Sequence, residues 1–383
     1  MGHKTLLVII PDRISDILKK GEYTPRYYNP GELFNEVHLL LTNNDRPDKA
    51  SVQKTVGNAI LHLHNLPMPS FKWTMGWQFF LLKNWVSQGI KLVKEISPCL
   101  VRTHNNFIQG YLAKEIKKIL GVPYVVSLHG VWDRDDLNTT KDKIIKIFRK
   151  KLEKISLQHA DAVIAVYGSI IRYAKAYGAK NVYLVYNIVA GDNIPRKGNY
   201  KLGNPPRMIT INRQTKDKNP EKIIHAIRDM NVYYLIVGDG EYHEYLRKVI
   251  HQVGCEGKVE LIRSIPNEKL CEMLKDFDMM VSHCNYWGMS KTIIEAALAG
   301  LPIVINKHPA EPIPEYKEDW ILLNENSSEG YRQTILTLIK NDGLRVRYGQ
   351  NAYQYAKDNF DPIKMENKVV EIYRNLINSR KSR

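Results

Sequence analysis

Cysteine is scarce in this sequence: there are four in 383 residues, at positions 99, 255, 271 and 284, with no Cys-x-x-Cys pair and no metal-ligand spacing. A disulfide-built secreted fold is therefore excluded, and a reducing cytosol is the expected compartment. Long apolar runs are also missing, so no membrane-spanning helix is expected. The opening stretch "TLLVII" has only Lys4 as a charge before it and runs into Pro11 and Asp12. It is too short for a signal peptide, has no small-residue cleavage site, and reads as a first buried strand. Nor is there any low-complexity tract that would mark a disordered chain.

What is present is an ordinary globular composition, 44% hydrophobic and 25% charged, in a chain long enough for two domains. Its formal charge of +16 is unevenly spread. Residues 51–200 carry 22 Lys and Arg against 9 Asp and Glu, whereas residues 201–350 carry 20 against 20. A basic first half and a neutral second half are expected to meet different ligands.

Short β-rich runs alternate with helix-period segments along the whole chain. The runs are TLLVII, EVHLLL, AILHLHN, LVRTH, PYVVSLH, AVIAVY and VYLVY in the first half, then MITIN, VYYLIV, KVELIR, DMMVS and PIVI. Near-continuous apolar strands between helices imply parallel sheets covered on both faces. The stretch GDNIPRKGNYKLGNPPR, residues 191–207, is rich in Gly, Pro and Asn and reads as a linker. The expected organisation is a domain over 1–190, the linker over 191–207, a second domain over 208–360 and a final helix over 361–383. Ligands of such sheets bind beyond the carboxyl ends of the strands, so the cleft between two doubly wound domains is the expected site.

Three constellations carry chemistry. In "HCNYWGMSKTIIEAALAGLPIVI", Gly288, Met289 and Ser290 precede a helix that starts near Lys291 and ends at Gly300 and Pro302. Backbone N–H groups at such a start suit an anion. Glu295 lies inside this helix among small and apolar residues. Its carboxylate either meets a polar ligand such as ribose hydroxyls or pairs with Lys291 one turn earlier. In the second constellation, MITIN leads into Arg213 and Lys218, two cations at a strand end that suit a diphosphate; a solvated loop is the plainer alternative. In the third, Gly238, Asp239 and Gly240 follow a buried strand and permit a tight turn.

Taken in order, strand-Arg-x4-Lys, strand-GDG-helix and G-x6-E-A-x2-A-G-x-P resemble the C-terminal half of family 4 glycosyltransferases, over about residues 208–378. The first half is similar more loosely, through VPYVVSLHG, ADAVIAVYGSI and VYLVYNIV. The resemblance implies the GT-B fold, an α/β architecture of two Rossmann-like doubly wound parallel-sheet domains facing each other across a cleft. The second domain would bind a nucleotide sugar, the first the acceptor, and the last helix would cross back to the first domain. It implies retaining transfer without a cofactor, an obligatory metal or a covalent nucleophile.

The same resemblance assigns Arg213 and Lys218 to the donor diphosphate and Glu295 to its ribose. Ser290, Lys291 and Thr292, after Gly288 and Met289, would meet phosphate and sugar hydroxyls. Ile262, Arg263 and Ile265 fall where the base pocket is lined, and His129, followed by Gly130, where a histidine approaches the donor sugar. Gly238 and Gly240 belong to the donor side, while Gly130 and Arg13 are acceptor candidates. The chain departs from the family eight residues before Glu295, where a glutamate is usual and Trp287 stands; an offset counted from Ser282 lands on Asn285. The glycine-rich first loop is replaced by Pro11, Asp12 and Arg13.

The expected acceptor is a lipid-linked or cell-surface glycan and the expected location cytoplasmic, on the inner face of the plasma membrane. An anionic membrane surface is a candidate partner, because Lys141, Lys143, Lys146, Arg149, Lys150, Lys151 and Lys154 flank an apolar stripe of Ile144, Ile145, Phe148, Leu152 and Ile155. The aromatic-rich segment 71–86 is an interfacial or acceptor-wall candidate. Core packing explains both stretches equally well. A GT-B epimerase or phosphorylase and, from another class, a basic nucleic-acid-binding protein remain as alternatives. No nucleic acid is expected as a partner, since no nucleic-acid-binding motif accompanies the charge.

Overall fold

The apolar runs of the first half become the strands of one parallel sheet: β1 (Thr5–Ile10), β2 (Glu36–Leu41), β3 (Ile60–Asn65), β4 (Leu100–His104), β5 (Tyr124–Leu128), β6 (Ala162–Ala165) and β7 (Val182–Leu184). Their order is β3-β2-β1-β4-β5-β6-β7. The second half forms a parallel sheet from β8 (Arg207–Ile211), β9 (Tyr233–Val237), β10 (Val259–Ile262), β11 (Met279–Ser282), β12 (Ile303–Asn306) and β13 (Leu322–Asn324), ordered β10-β9-β8-β11-β12-β13. Both follow the doubly wound order in which the chain reverses direction across the sheet after its third strand. The structure is a computed structural model describing residues 3–19, 24–69, 78–130, 140–189 and 194–381.

Burial explains why these runs are strands. β1, β4 and β5 are buried along their whole length, as strands covered by helices on both faces must be. The edge strand β3 is more open, and Ile60 at its start is exposed. Helix Ile108–Leu120 shows the complementary 3.6-residue pattern: Ile108, Leu112, Ala113 and Ile116 are buried, and Gly121 ends it at φ 65°. In the second sheet, Ile223, Ile224 and Ile227 pack with Met208, Tyr234 and Ile236 in one core cluster. Each such side chain contributes about 1.5–3 kcal/mol by leaving water.

The chain divides into two compact units, residues 1–186 with 363–383, and residues 187–362. The last helix, Pro362–Lys381, thus belongs with the first unit. Its Glu366 accepts from Arg26 Nη2 (3.2 Å) and from the Gly31 backbone (2.7 Å), and Tyr373 meets Phe34 edge-on. The stretch expected as a linker packs on the second unit from Ile194 onward: Lys197 N donates to Ala299 O (2.8 Å) and Gly203 N to Asp278 Oδ2 (3.1 Å).

The basic helix, Thr140–His159, turns Leu152, Glu153, Ser156 and Leu157 inward. Lys150, Lys151 and Lys154 remain exposed. The side chains of residues 140–145, and residues 70–77 of the aromatic segment, lie outside the described residues. Among the described residues no helix is long and apolar enough to cross a membrane.

Candidate functional site

In the second unit the sheet reverses direction between β8 and β11, and the loops beyond their carboxyl ends hold most of the candidate residues. Asn212 Nδ2, at the end of β8, donates to Ser282 Oγ at the end of β11 (2.8 Å). From there the backbone carries Arg213 outward to solvent while Gln214 turns inward, fully buried. A 3-10 turn, Lys216–Lys218, follows. Lys218 is half-buried, and its Nζ lies 5.4 Å from the Tyr286 ring centroid. The loop after β11 is fastened to this turn, since Asn285 N donates to Asp217 O (2.6 Å).

The glycine turn after β9 is pressed against the same segment. A Cβ on Gly238 would stand 1.8 Å from Asn212 O, and one on Gly240 2.2 Å from Gln214 O. Only glycine permits that approach, because both neighbours are backbone. Gln214 N donates to Asp239 O (2.9 Å), Tyr242 N donates to Gln214 O (3.1 Å), and Gln214 Oε1 meets His243 Nδ1 (2.7 Å). Arg213, Lys218, Gly238 and Gly240 are thereby brought into one set of interlocked loops.

Arg263, after β10, joins that set through its guanidinium, with Nη1 on Asp239 Oδ1 (2.5 Å) and Nη2 on Glu244 Oε1 (2.6 Å). The Gly240 N–H and then Arg263 hold the Asp239 carboxyl below its ordinary range. Ile262 and Ile265 flank Arg263 and are half-buried.

Helix Lys291–Leu298 starts beside the end of β8: Thr292 Oγ1 donates to Ile211 O (3.1 Å) and lies 2.8 Å from Ser290 Oγ. Gly288 and Met289 are buried ahead of it, and Lys291 is half-buried. Glu295 is 5% exposed, and its Oε1 accepts from Asn267 Nδ2 (3.1 Å), which ties it to the start of the helix after β10, Asn267–Met273. Burial, and then the Glu295 charge, push the nearby Cys271 thiol up to about 12.

Asn285 and Trp287 occupy the region where a carboxylate is usual. Asn285 Oδ1 accepts from Asn306 Nδ2 (3.1 Å) and Asn326 Nδ2 (2.9 Å), and Asn285 O meets His308 Nε2 (2.9 Å). Trp287 packs on His308 with ring centroids 3.9 Å apart. Gln214, Asn267, Asn306 and His308 were not singled out from sequence. Isolated amides and a loop histidine carry no spacing signal, and only the meeting of loops gives them partners.

The first unit holds a separate cluster. His129, exposed beyond β5, stacks on buried His104 at the end of β4, with centroids 5.3 Å apart and 14° between planes. Tyr27 Oη is 3.5 Å from His129 Nε2. Buried Arg102 donates to Tyr27 O (3.1 Å) and Ser127 Oγ (3.0 Å), with its guanidinium 5.5 Å from the Tyr27 ring centroid. Burial, then the charges of Arg102 and His129, hold His104 well below the ordinary histidine value, so it stays neutral; burial also raises Asp12. Gly130 is buried. Arg13 extends into solvent near Asp16 (3.8 Å) and Asp45 (4.0 Å).

Family models match both halves of the chain: "Glycosyltransferase Family 4" over residues 32–191 and "Glycosyl transferases group 1" over residues 192–355. The chain belongs to the GT-B glycosyltransferases. It is 25% identical over 330 residues to an uncharacterised glycosyltransferase of Methanocaldococcus jannaschii, covering 82% of each chain. It is also 24% identical over 312 residues to the UDP-Gal:alpha-D-GlcNAc-diphosphoundecaprenol alpha-1,3-galactosyltransferase of Escherichia coli, covering 75% of this chain and 78% of that one. Among solved structures, Anabaena HepE in complex with UDP matches this glycosyltransferase with a TM-score of 0.72 and 15% identity, over 97% of this chain and 100% of that one. Sucrose-phosphate synthase from Thermosynechococcus elongatus matches with 0.74 and 12%, over 98% and 100%.

Proposed function

We propose that this glycosyltransferase moves a sugar from a UDP-sugar to a hydroxyl of a lipid-linked or cell-surface glycan, with retention of anomeric configuration. The observation that carries the reading is the clamp of the Arg213 loop on the glycine turn. The 2.9 Å bond from Gln214 N to Asp239 O and the close approach of Gly238 to Asn212 fix the backbone that carries Arg213 beyond the end of β8, beside the point where the sheet reverses. HepE was solved with UDP and with UDP-glucose, and the E. coli relative is named for a UDP-galactose donor and a diphosphoundecaprenol-linked acceptor. Both support the choice of donor and acceptor class.

In this mechanism Arg213 and Lys218 neutralise the diphosphate, each charge pair at ~4 Å contributing about 1 kcal/mol in water and about 4 at an effective dielectric of 20. The same charges favour the leaving group as its bond to the sugar breaks. Glu295 takes the ribose, and Ile262, Arg263 and Ile265 border the base. Gly288 to Thr292 meet phosphate and sugar hydroxyls, and His129 meets the donor sugar. Arg13 and Gly130 serve the acceptor. As the C1–phosphate bond breaks, the acceptor oxygen bonds C1 on the same face and its proton passes to the departing phosphate. The step uses neither a covalent enzyme nucleophile nor a metal.

The enzyme would work at the cytoplasmic face of an anionic membrane, to which the exposed Lys150, Lys151 and Lys154 supply about 1 kcal/mol each near the surface. Calorimetric titration with UDP, GDP and ADP tests the donor nucleotide: failure of all three to bind would end the reading, and preference for GDP or ADP would replace UDP. NMR of the product anomer tests retention. Cosedimentation with anionic against neutral vesicles at low salt tests the membrane face, and equal binding to both would remove it.

A further inference from the structure

Away from the loops described above, the first two residues of a histidine-rich patch come from β2 and the next two from β3. Glu36 and His38 alternate on β2, His62 and His64 on β3, and the parallel register sets His38 beside His62 and Leu40 beside His64. Side chains two residues apart on a strand share a face, so all four converge on one side of the sheet edge.

The distances are those of a ligand set. His62 Nε2 is 2.8 Å from Glu36 Oε1, and His38 Nε2 is 3.2 Å from the same oxygen. Ligand atoms of Glu36, His38 and His62 all lie within 4.8 Å of one another. Two ligands bound at 2.0–2.2 Å to a tetrahedral zinc stand about 3.3 Å apart, so little movement would admit the ion. His62 Nε2 is moreover shielded from solvent and makes no hydrogen bond among the described residues, despite its 2.8 Å approach to the carboxylate. A short contact at an angle that no hydrogen bond accepts is how two ligands of one ion stand, because their lone pairs point to a third position rather than to each other.

We propose that Glu36, His38 and His62 bind a zinc ion that ties the edge strand β3 to β2. Coordination by His38 Nε2 leaves its Nδ1, which lies 2.9 Å from His64 Nε2, and His3 Nε2 lies 2.9 Å from Glu36 Oε2. His64 and His3 are therefore positioning residues that hold the imidazole and the carboxylate in place. Solvent completes the tetrahedron. The ligands occupy the first three positions of β2 and β3, at the opposite end of these strands from their carboxyl termini. The ion is therefore structural: it adds a side-chain tie to the backbone pairing of β2 with the edge strand β3 and takes no part in sugar transfer.

The test uses the full untagged chain, stripped with a chelator and dialysed against Zn2+, with bound metal counted by mass spectrometry. One zinc per chain is expected, with affinity at least 100-fold weaker in Glu36→Gln and in His62→Ala, and 10- to 100-fold weaker in His64→Ala. His62 stands on an exposed edge strand, and circular dichroism establishes that each variant is folded. Zinc should raise the Tm of the wild-type chain but not of the Glu36→Gln chain. Co2+ in place of zinc should give the visible absorption of a four-coordinate ion in the wild type alone. Wild-type zinc binding that is absent at micromolar metal, or equal in both folded variants, overturns the proposal.

Discussion

Replacement of Gly238 by alanine tests whether the clamp between β8 and β9 builds the site. The new Cβ would fall 1.8 Å from Asn212 O, and since Cβ atoms essentially never come within 3.0 Å of another atom, the two loops must separate by about 1.2 Å. That movement strains two hydrogen bonds, Gln214 N to Asp239 O (2.9 Å) and Gly238 N to Ile262 O (2.8 Å). Each contributes about 1 kcal/mol, so a loss of roughly 2–3 kcal/mol is expected once strain is included. Arg213 rides on the displaced loop, and a shift of ~1 Å in a positioning group lowers turnover about 100-fold. Chemical denaturation reads the stability loss, the rate of UDP release from a UDP-sugar reads the turnover and UDP titration reads the affinity, with Gly257→Ala as control because nothing lies within 4 Å of its Cβ position. If Gly238→Ala matches the control in stability and in UDP affinity, the clamp does not build the donor site.

Removing the Arg213 or Lys218 charge by alanine substitution should weaken UDP binding about tenfold or more, equal to ~1.4 kcal/mol each, while leaving uridine binding almost unchanged; calorimetry with both ligands checks it. Arg345, 2% exposed, donates to Leu338 O (2.6 Å), Ile339 O (3.0 Å) and Tyr200 O (3.1 Å), so Arg345→Met should cost about 3 kcal/mol by urea denaturation. Burial, then Lys222, lower the His283 pKa from 6.5 to about 4 in the folded state. Below pH 6.5 the unfolded chain binds a proton that the folded chain refuses, so stability falls by up to roughly 3 kcal/mol between pH 6.5 and 4. In His283→Asn that acid-side slope should be shallower in pH-dependent denaturation curves.

Most strands were legible because a strand covered on both faces must be apolar nearly throughout, and twelve runs of that kind mark β1 to β12. β13, Leu322–Asn324, was missed: two partly buried leucines and a buried asparagine at the sheet edge leave too short a signal. The helix Lys291–Leu298 was legible from its apolar spacing and its Gly300–Pro302 stop. What Glu295 faces was not, since its partner Asn267 starts another helix, Asn267–Met273, with no regular spacing to it. The stretch 191–207 carries the composition of a connector, yet from Ile194 on its backbone is held by Ala299 and Asp278, neither of which composition could name.

Sequence alone therefore determined the parallel sheets and their helices, because burial and periodicity act over neighbouring residues. It also determined the order of the Arg213, glycine-turn and Glu295 segments. Only the tertiary structure decided which loops touch. It set Gly238 against the Asn212 carbonyl and brought His38 of β2 and His62 and His64 of β3 into one patch around Glu36. The physical reason is strand register: it brings His38 opposite His62, 24 residues apart in the chain, and a slip of one residue would turn one strand's side chains to the opposite face.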